Sequence, residues 1–484
     1  MARRRAGSGV LRRKPIEHIE EPEGGRSEQL TRVLGLWQLT AIGVGGIIGA
    51  GIFTLAGAVA NGVAGPAVVI SFLIAGIASA AAAFSYAEFA GLIPKAGSAY
   101  TYGYAVLGEL AGWFIGWDLL LEYTAIVAVV AIGISGYFSF LLGDLGVQLP
   151  AWMLGAPGTG EGHRVDLFAA LLCLLIAYLL NLGMKNAARF EMAVVGLKVA
   201  VVLLVIVVGF FHINTDNYTP FFPYGISGAI TGAATVFFAV FGYDAMSTAA
   251  EESKDSQRHM PKAIIYSLGI SMVLYVLACL VLTGMQKYSE IDKESGFSTA
   301  FKSVGLRGLA DVIAVGAIVG ILTVMFTFML GVSRVWFSMS RDGLLPRWFA
   351  KTHPTRHVPT RVTWIVGVIS ALIAGFLPIV EAAELTNIGI LLAFVVVCAA
   401  VIVLRYRRPD LPRTFRCPGM PFVPAIGILF SLWLITFLQW QTWVRFAVWF
   451  LIGLVVYFGY SYRHSALAQS EPAAHGDGGA AGDG

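Results

Sequence analysis

The stretch GVGGIIGAGIF, residues 43–53, places five glycines inside an apolar segment long enough to cross a bilayer. Glycine in a helix interior costs about 0.5–1 kcal/mol relative to alanine. The five are spread around the helix, which favours a locally unwound segment. A packing face is the alternative, because glycines let helices approach closely and Gly45 and Gly49 are four residues apart. Since non-helical backbone persists at membrane depth only beside a protected cavity, we interpret this segment as part of a binding site.

The composition indicates an all-α polytopic membrane protein. The 484 residues are 57% hydrophobic and 13% charged, with a mean hydropathy of +0.75, whereas globular domains are about 25% charged. Apolar runs of about 20 residues predict membrane-spanning helices, and we count twelve. They cover residues 34–60, 66–93, 109–141, 166–184, 190–212, 227–250, 261–286, 309–340, 362–380, 383–405, 421–439 and 443–462.

The positions of lysine and arginine predict the orientation in the membrane. With the N-terminus inside, the inner segments hold 25 of the 33 basic residues and the outer segments hold six. Because cytoplasmic loops are enriched in basic residues, both termini are expected to be cytoplasmic, in the cell membrane. Residues 1–33 are then a cytoplasmic N-terminal arm, and the Gly/Ala-rich residues 465–484 a disordered cytoplasmic tail.

Several other classes of protein lack support in the sequence. A nucleic-acid-binding role would need a soluble basic domain, and the basic residues instead follow the topology. The four cysteines are scattered without a C-x-x-C pair and no histidine lies mid-span, so no cofactor or metal is expected. An enzyme would need a catalytic constellation, and a channel a repeated pore-lining pattern or a ring of charges. Neither pattern is visible.

Unwound backbone inside a membrane has a specific chemistry. A broken span frees N–H and C=O groups, and the N-terminus of a half-helix carries a positive partial charge. The N–H groups suit a carboxylate and the C=O groups suit an ammonium. Such a segment therefore favours a small zwitterion as ligand.

Four motifs together resemble the amino acid–polyamine–organocation superfamily of permeases. They are GVGGIIGAGIF, TGAATVFFAVFGYDAMSTAAEE (231–252), the following SKDSQRHMPKAI, and SRDGLLPRWFA (340–350). The chain most resembles bacterial relatives of the cationic amino acid transporters, over about residues 33–460. The resemblance implies secondary active amino acid transport by alternating access.

The resemblance also implies a leucine-transporter-type fold of twelve transmembrane helices. Two inverted repeats of five helices would cover residues 34–226 and 227–408, with spans 1 and 6 broken at mid-membrane. Two extra C-terminal helices would occupy residues 409–464. The sequence itself supports the symmetry only weakly, because FFAVFGYDA in span 6 contains just Gly242.

A substrate site follows from the same motifs. The resemblance implies that the substrate carboxylate meets the backbone N–H groups of Ala50 and Gly51, and that Phe238 acts as an aromatic gate. The ammonium would meet backbone carbonyls in both broken spans. These are the carbonyls of Ile47, Phe238, Ala239 and Phe241.

Lys198, in EMAVVGLKVAVVLLVIVVG, is a charge deep inside span 5. Intramembrane charges are costly and mark functional sites, and burial favours the neutral form of a lysine, so Lys198 can gain and lose a proton. In proton-coupled relatives a lysine of span 5 replaces a sodium ion, which favours proton-coupled symport. The alternative is a structural lysine paired with a carboxylate or a helix-end carbonyl. A sodium-coupled symporter and an exchanger of the same fold also stay open.

Two features give opposite indications about the substrate. Asp118 and Glu122 lie four residues apart on one face of span 3, and the resemblance places Glu122 near the pocket, where it would hold a basic side chain. A helix-packing hydrogen bond is the alternative. Phe328 falls where the family's pocket wall varies, and its bulk favours small neutral amino acids; core packing is its alternative. A small accessory membrane protein or a lipid at the periphery stays open as a partner.

Overall fold

The described part of the chain is helical. The computed structural model describes residues 34–92, 98–182, 187–247, 253–351 and 359–465. Within these ranges the only extended pairing is two isolated β-bridges. The predicted N-terminal arm, residues 1–33, lies outside the described residues, as does the predicted tail from residue 466 onward.

Seven described helices are long and apolar enough to cross a membrane, and three shorter helices are also apolar. A helix satisfies its own backbone hydrogen bonds, which is the requirement that hydrocarbon imposes on a spanning segment. The expected all-α polytopic membrane architecture is therefore confirmed. The three shorter helices are Leu167–Leu182, Thr360–Phe376 and Phe422–Ile435.

Each of the twelve predicted apolar segments is largely helical where it is described. We number the helices α1–α16, with α2 combining consecutive π- and α-helical turns. They are α1 (Leu36–Ile47), α2 (51–64), α3 (Val68–Leu92), α4 (Ser98–Val106), α5 (Glu109–Asp144), α6 (Leu167–Leu182), α7 (Ala187–Phe210), α8 (Gly225–Thr235), α9 (Tyr243–Ser247), α10 (Ser256–Met285), α11 (Gly296–Ser303), α12 (Arg307–Arg341), α13 (Thr360–Phe376), α14 (Ile379–Arg407), α15 (Phe422–Ile435) and α16 (Trp440–His464).

The first predicted span is broken in its middle. Helix α1 ends at Ile47, and Ile48 is extended with ψ 106°. Helical structure resumes at Gly51 as a π-helical turn, a form frequently found at functional sites. A second interruption follows at Gly65, whose φ of +64° suits glycine, before Pro66 and α3.

The sixth predicted span is also broken, although it has only one glycine at the break. Helix α8 ends at Thr235 and a 3-10 turn follows. Phe241 is then extended (φ −104°, ψ 169°), and Gly242 has a φ of +123° before α9 begins. Only glycine adopts such a φ readily, so Gly242 permits the change of direction.

Other helices surround α1 and the break that follows it. A Cβ added to Gly43 would lie 2.7 Å from the Ser267 side chain of α10, and one added to Gly49 would lie 2.9 Å from Val324 of α12. Gly45 is in equally close contact with Val195 of α7. The glycines spread around the helix therefore allow close packing of neighbouring helices as well as the break. This corrects our expectation that their spread argues against packing.

Span 1 is held at both of its ends. At one end α11 and the segment preceding it cover α2. The Asn61 amide donates to the Ile291 carbonyl at 2.9 Å, and Phe297 of α11 contacts Phe53 edge to face. At the other end the Lys254 N–H donates to the Leu34 carbonyl at 2.9 Å. The break thus lies between two fastened segments.

Buried acids join the ends of distant helices. Glu88 of α3 accepts hydrogen bonds from Arg405, Arg413 and the Cys417 N–H. Glu109 of α5 accepts from residues of the α16 end. Because each buried carboxylate is partnered, these two acids fasten the long helices together.

Candidate functional site

The two breaks meet at the centre of the molecule. A Cβ on Gly46 would lie 2.8 Å from the Gly242 carbonyl oxygen, and a Cβ on Gly242 would lie 2.6 Å from the Gly46 carbonyl oxygen. Gly51 packs against Ala239 so closely that any Cβ there would overlap it. The backbones of spans 1 and 6 are therefore in direct contact, which glycine alone permits.

The start of α2 presents backbone donors at this junction. Ala50 is the N-cap residue and Gly51 is the first helical residue. The first N–H groups of a helix have no carbonyl partner within it, and the helix dipole makes this end positive. The start of α2 at Ala50 and Gly51 is therefore a positive helix end.

Backbone acceptors lie opposite, and Tyr275 of α10 bridges two of them. Its hydroxyl lies 2.6 Å from the Ile47 carbonyl oxygen and 3.0 Å from that of Ala239. A phenol carries a single hydrogen, so it satisfies only one of these carbonyls fully at a time. Two of the predicted ammonium-binding carbonyls thus lie within reach of one hydroxyl.

The other predicted residues of span 6 line the break differently. The backbone N–H of Phe238 donates to the side chain of Asn387 at 2.6 Å, and its carbonyl accepts from the Phe241 N–H at 3.2 Å. The Phe241 ring packs edge to face on Tyr243 and Phe394. Both Phe238 and Phe241 are buried.

Glu122 is fully buried, and neither of its carboxyl oxygens has a hydrogen-bond partner among the described residues. The helix-packing hydrogen bond that we considered for it is therefore absent from that part of the chain. Two further buried carboxyl groups belong to this region: Asp118 lies one helical turn from Glu122 on α5, and Asp244 binds the neighbouring Tyr123. Asp244 lies in the first turn of α9 and accepts a hydrogen bond from Tyr123, the neighbour of Glu122.

Phe328 of α12 contacts Tyr123, the residue next to Glu122. Its ring meets the Tyr123 ring edge to face, with centroids 5.1 Å apart. Tyr123 thus contacts Asp244 through its hydroxyl and Phe328 through its ring. The structure brings together Glu122, Phe328 and the first turn of α9, which the sequence places on three separate segments.

Lys198 of α7 is fully buried and reaches the broken end of α1. Its ammonium donates to the Gly45 carbonyl and lies 3.4 Å from the Thr323 hydroxyl of α12. Gly45 is among the last residues of α1, whose terminal carbonyls lack helical partners and attract cations. This geometry fits the alternative role of a structural lysine that is paired with a helix-end carbonyl. It also places the titratable ammonium of Lys198 next to the break in span 1.

Sequence reasoning missed Tyr275 and Asn387. Both are fully buried polar residues in long apolar helices. Polar groups inside a span are costly and need a partner, which was the available signal. Their partners are backbone atoms of a distant break, and the motifs did not reveal that.

These features together define a class of protein. Opposed half-helices supply donors and acceptors at the centre of a helical membrane protein, the arrangement found in secondary transporters. Residues 34–460 match the amino acid permease family model, so the chain belongs to the amino acid permease family.

Named relatives cover almost the whole chain. The methylthioribose transporter of Bacillus subtilis (strain 168) is 45% identical over 460 residues, covering 95% of this chain and 99% of the relative. The branched-chain amino acid permease BcaP of the same organism is 46% identical over 463 residues, with the same coverage.

More distant relatives come from plants. Cationic amino acid transporter 4, vacuolar, of Arabidopsis thaliana is 36% identical over 409 residues, covering 83% of this chain and 68% of the relative. The resemblance read from the motifs is thereby confirmed, and the protein is a membrane transporter rather than an enzyme.

Proposed function

We propose that this protein is a secondary active amino acid permease that works by alternating access. The observation that carries the proposal is the meeting of two broken helices, with Gly51 and Ala239 in contact. The N–H groups of Ala50 and Gly51 would bind the substrate carboxylate, while the carbonyls of Ile47 and Ala239 would bind its ammonium. The carbonyls of Phe238 and Phe241 complete this set, and the Phe238 ring closes the site.

The proposed architecture has twelve spans in a leucine-transporter-type fold. The run Leu36–Leu92 counts as two spans that separate at Gly65, and α8 with α9 counts as one. The two inverted repeats are residues 34–226 and 227–408, and residues 409–464 form the extra helices. Both termini are cytoplasmic in the cell membrane, as the distribution of basic residues supports.

The proposed substrates are neutral amino acids. We assign the buried ring of Phe328, which contacts Tyr123, to the wall of the site, where it would leave room only for smaller side chains. Two relatives are named as branched-chain amino acid permeases. Glu122 opposes this reading, since a buried carboxyl group without a hydrogen-bond partner among the described residues would also attract a cationic side chain. The relative that is named as a methylthioribose transporter supports a second candidate substrate class, neutral thioether sugars.

We assign coupling to protons through Lys198. Its ammonium lies against the end of α1, two residues from the Ile47 carbonyl, so loss of its proton would weaken the tie between α7 and the broken span. While it is protonated, the ammonium in that place also opposes sodium binding by repulsion. An exchanger and a sodium-coupled symporter are the alternatives within this fold.

Uptake into proteoliposomes tests these assignments. Labelled leucine, alanine and arginine would be supplied under an inward proton gradient or an inward sodium gradient of matched potential, with protein-free liposomes as control. Proton-driven accumulation of leucine or alanine is expected. Sodium-driven accumulation would overturn the role of Lys198, and exchange without accumulation would make the protein an exchanger. Uptake of methylthioribose without any amino acid transport would overturn the substrate assignment.

Phe328→Ala separates the two indications about the substrate. Removing the ring is expected to raise arginine uptake relative to alanine by roughly tenfold, because it opens space beside Tyr123, the neighbour of Glu122. Adding Glu122→Gln should reverse that gain. An unchanged ratio in Phe328→Ala would show that the ring packs in the core and does not face the substrate.

A further inference from the structure

Asn387 of α14 makes two short hydrogen bonds to the broken part of span 6. Its side-chain oxygen accepts from the Phe238 N–H at 2.6 Å, and its side-chain nitrogen donates to the Thr235 carbonyl at 2.7 Å. The residue is fully buried. One amide thus reaches across from another helix to both sides of the point where α8 ends.

The two backbone groups that Asn387 satisfies belong to the interruption of the helix. Thr235 is the last residue of α8, so its carbonyl is among those without a helical partner. Phe238 lies in the 3-10 turn that follows. A buried backbone group left without a partner destabilises the fold, and more so in hydrocarbon. A neutral amide supplies one donor and one acceptor at the spacing needed here.

Two other side chains complete the support of this segment. Ser79 of α3 donates to the Val240 carbonyl at 3.1 Å, and Tyr275 lies 3.0 Å from the Ala239 carbonyl. Asn387 differs from both because it satisfies a donor and an acceptor at once. It therefore fixes the start of the turn, while Ser79 and Tyr275 act on the carbonyls that come after.

We propose that Asn387 is a positioning residue that fixes the 3-10 turn of span 6, so that the carbonyls of Ala239 and Phe241 face the substrate. This inference rests on the proposed function, because it assigns to Asn387 the geometry of that same site. Asn387 does not itself touch substrate. Without its two bonds the turn rearranges, and the affinity for substrate falls.

The test compares Asn387→Leu and Asn387→Asp with Thr386→Val as matched control. Leucine removes both bonds at similar volume. A protonated aspartic acid offers one donor and one acceptor like the amide, whereas the carboxylate offers acceptors only. Thr386 is the fully buried neighbour of Asn387, and its hydroxyl bonds within its own helix, to the Ala382 carbonyl. Its substitution removes a buried hydroxyl whose hydrogen bond lies within α14.

Three quantities would be measured on purified full-length protein. The KM for leucine uptake comes from proteoliposomes, the melting temperature from detergent solution, and amide hydrogen exchange of the peptide covering residues 235–242 from mass spectrometry. Asn387→Leu is expected to raise KM roughly tenfold and to speed exchange in this peptide. The KM ratio of Asn387→Asp to wild type should increase with pH, and Thr386→Val should match wild type.

The outcomes separate the two proposals. If Asn387→Leu lowers the melting temperature but leaves both KM and exchange in residues 235–242 at wild-type values, Asn387 is merely structural and the inference is wrong. If that variant does not fold, Asn387→Asp decides, and a pH-independent KM ratio overturns the inference. If wild type transports no amino acid, the proposed function fails, while exchange still tests whether Asn387 fixes the turn.

Discussion

The break in span 1 and the break in span 6 both interrupt a helix inside the membrane, but different residues form and stabilise them. Span 1 is interrupted within an eleven-residue stretch that contains five glycines (43–53), and the ammonium of Lys198 binds one of the terminal carbonyls of α1. Span 6 is interrupted among phenylalanines with Gly242 alone, and neutral side chains satisfy its backbone. A flexible backbone with a titratable partner can respond to a proton. A stiff backbone with neutral partners is suited to hold a fixed geometry.

The largest effect is expected where the two breaks touch. Gly242 has a φ of +123°, and its added Cβ would lie 2.6 Å from the Gly46 carbonyl oxygen. Gly242→Val should cost on the order of 3 kcal/mol in strain and overlap and reduce leucine uptake at least about a hundredfold. Gly269→Ala is the control, since nothing lies within 4 Å of its Cβ position. Uptake within twofold of wild type in Gly242→Val would show that the breaks need not touch.

Removing the charge at the first break should separate coupling from binding. In Lys198→Met, accumulation driven by a proton gradient is expected to fall at least about tenfold while exchange of internal for external leucine continues, because the carbonyls and N–H groups remain. Lys302→Met is the control; that lysine pairs with Asp144 outside the site. Full proton-driven accumulation in Lys198→Met would leave only a structural role for this residue.

Removing the Tyr275 hydroxyl, which bridges the two breaks, is expected to have a smaller effect. Tyr275→Phe removes the donor shared by the Ile47 and Ala239 carbonyls, and the KM for leucine should rise roughly three- to tenfold. Tyr218→Phe is a matched control, because its hydroxyl also bonds a backbone carbonyl, that of Leu280 at 2.7 Å. An equal change in both variants would trace the effect to general packing.

The smallest effect is expected in the segment preceding α11, which covers span 1 and contains the titratable residue Glu294. Glu294 packs on Gly136, and burial, with the nearby charges of Asp166 and Asp292, raises the pKa of its carboxyl group to about 8, against the opposing effect of Lys293. The folded state thus holds a proton that the unfolded state releases near pH 4.5. Stability should therefore fall as the pH rises from about 4.5 to about 8.

Glu294→Gln should remove this dependence. We expect its melting temperature to exceed that of wild type by roughly 1–3 °C at pH 8 and to match it near pH 4.5. Glu161→Gln, an exposed carboxyl group, is the control and should follow wild type throughout. Identical curves for Glu294→Gln and wild type would mean that this carboxyl group titrates alike in the folded and unfolded chain.

Sequence and structure agree best where a segment must be apolar over a long distance. The predicted segment 109–141 is the helix Glu109–Asp144, and 309–340 is Arg307–Arg341, because hydrocarbon demands one continuous helix of apolar residues. The break in span 1 was also visible, since its glycines are unusual within a span. The break in span 6 came only from the family resemblance, because phenylalanine and valine do not signal an interruption.

The sequence by itself determined that this is a polytopic helical membrane protein of the amino acid permease type, through hydrophobic length, the distribution of basic residues and a few motifs. Only the tertiary structure decided which groups meet at its centre: Tyr275 between the Ile47 and Ala239 carbonyls, Asn387 at the second break and Lys198 at the end of α1. The physical reason is the separation along the chain. A side chain that satisfies the backbone of a distant helix leaves no local periodicity, and only packing brings the two together.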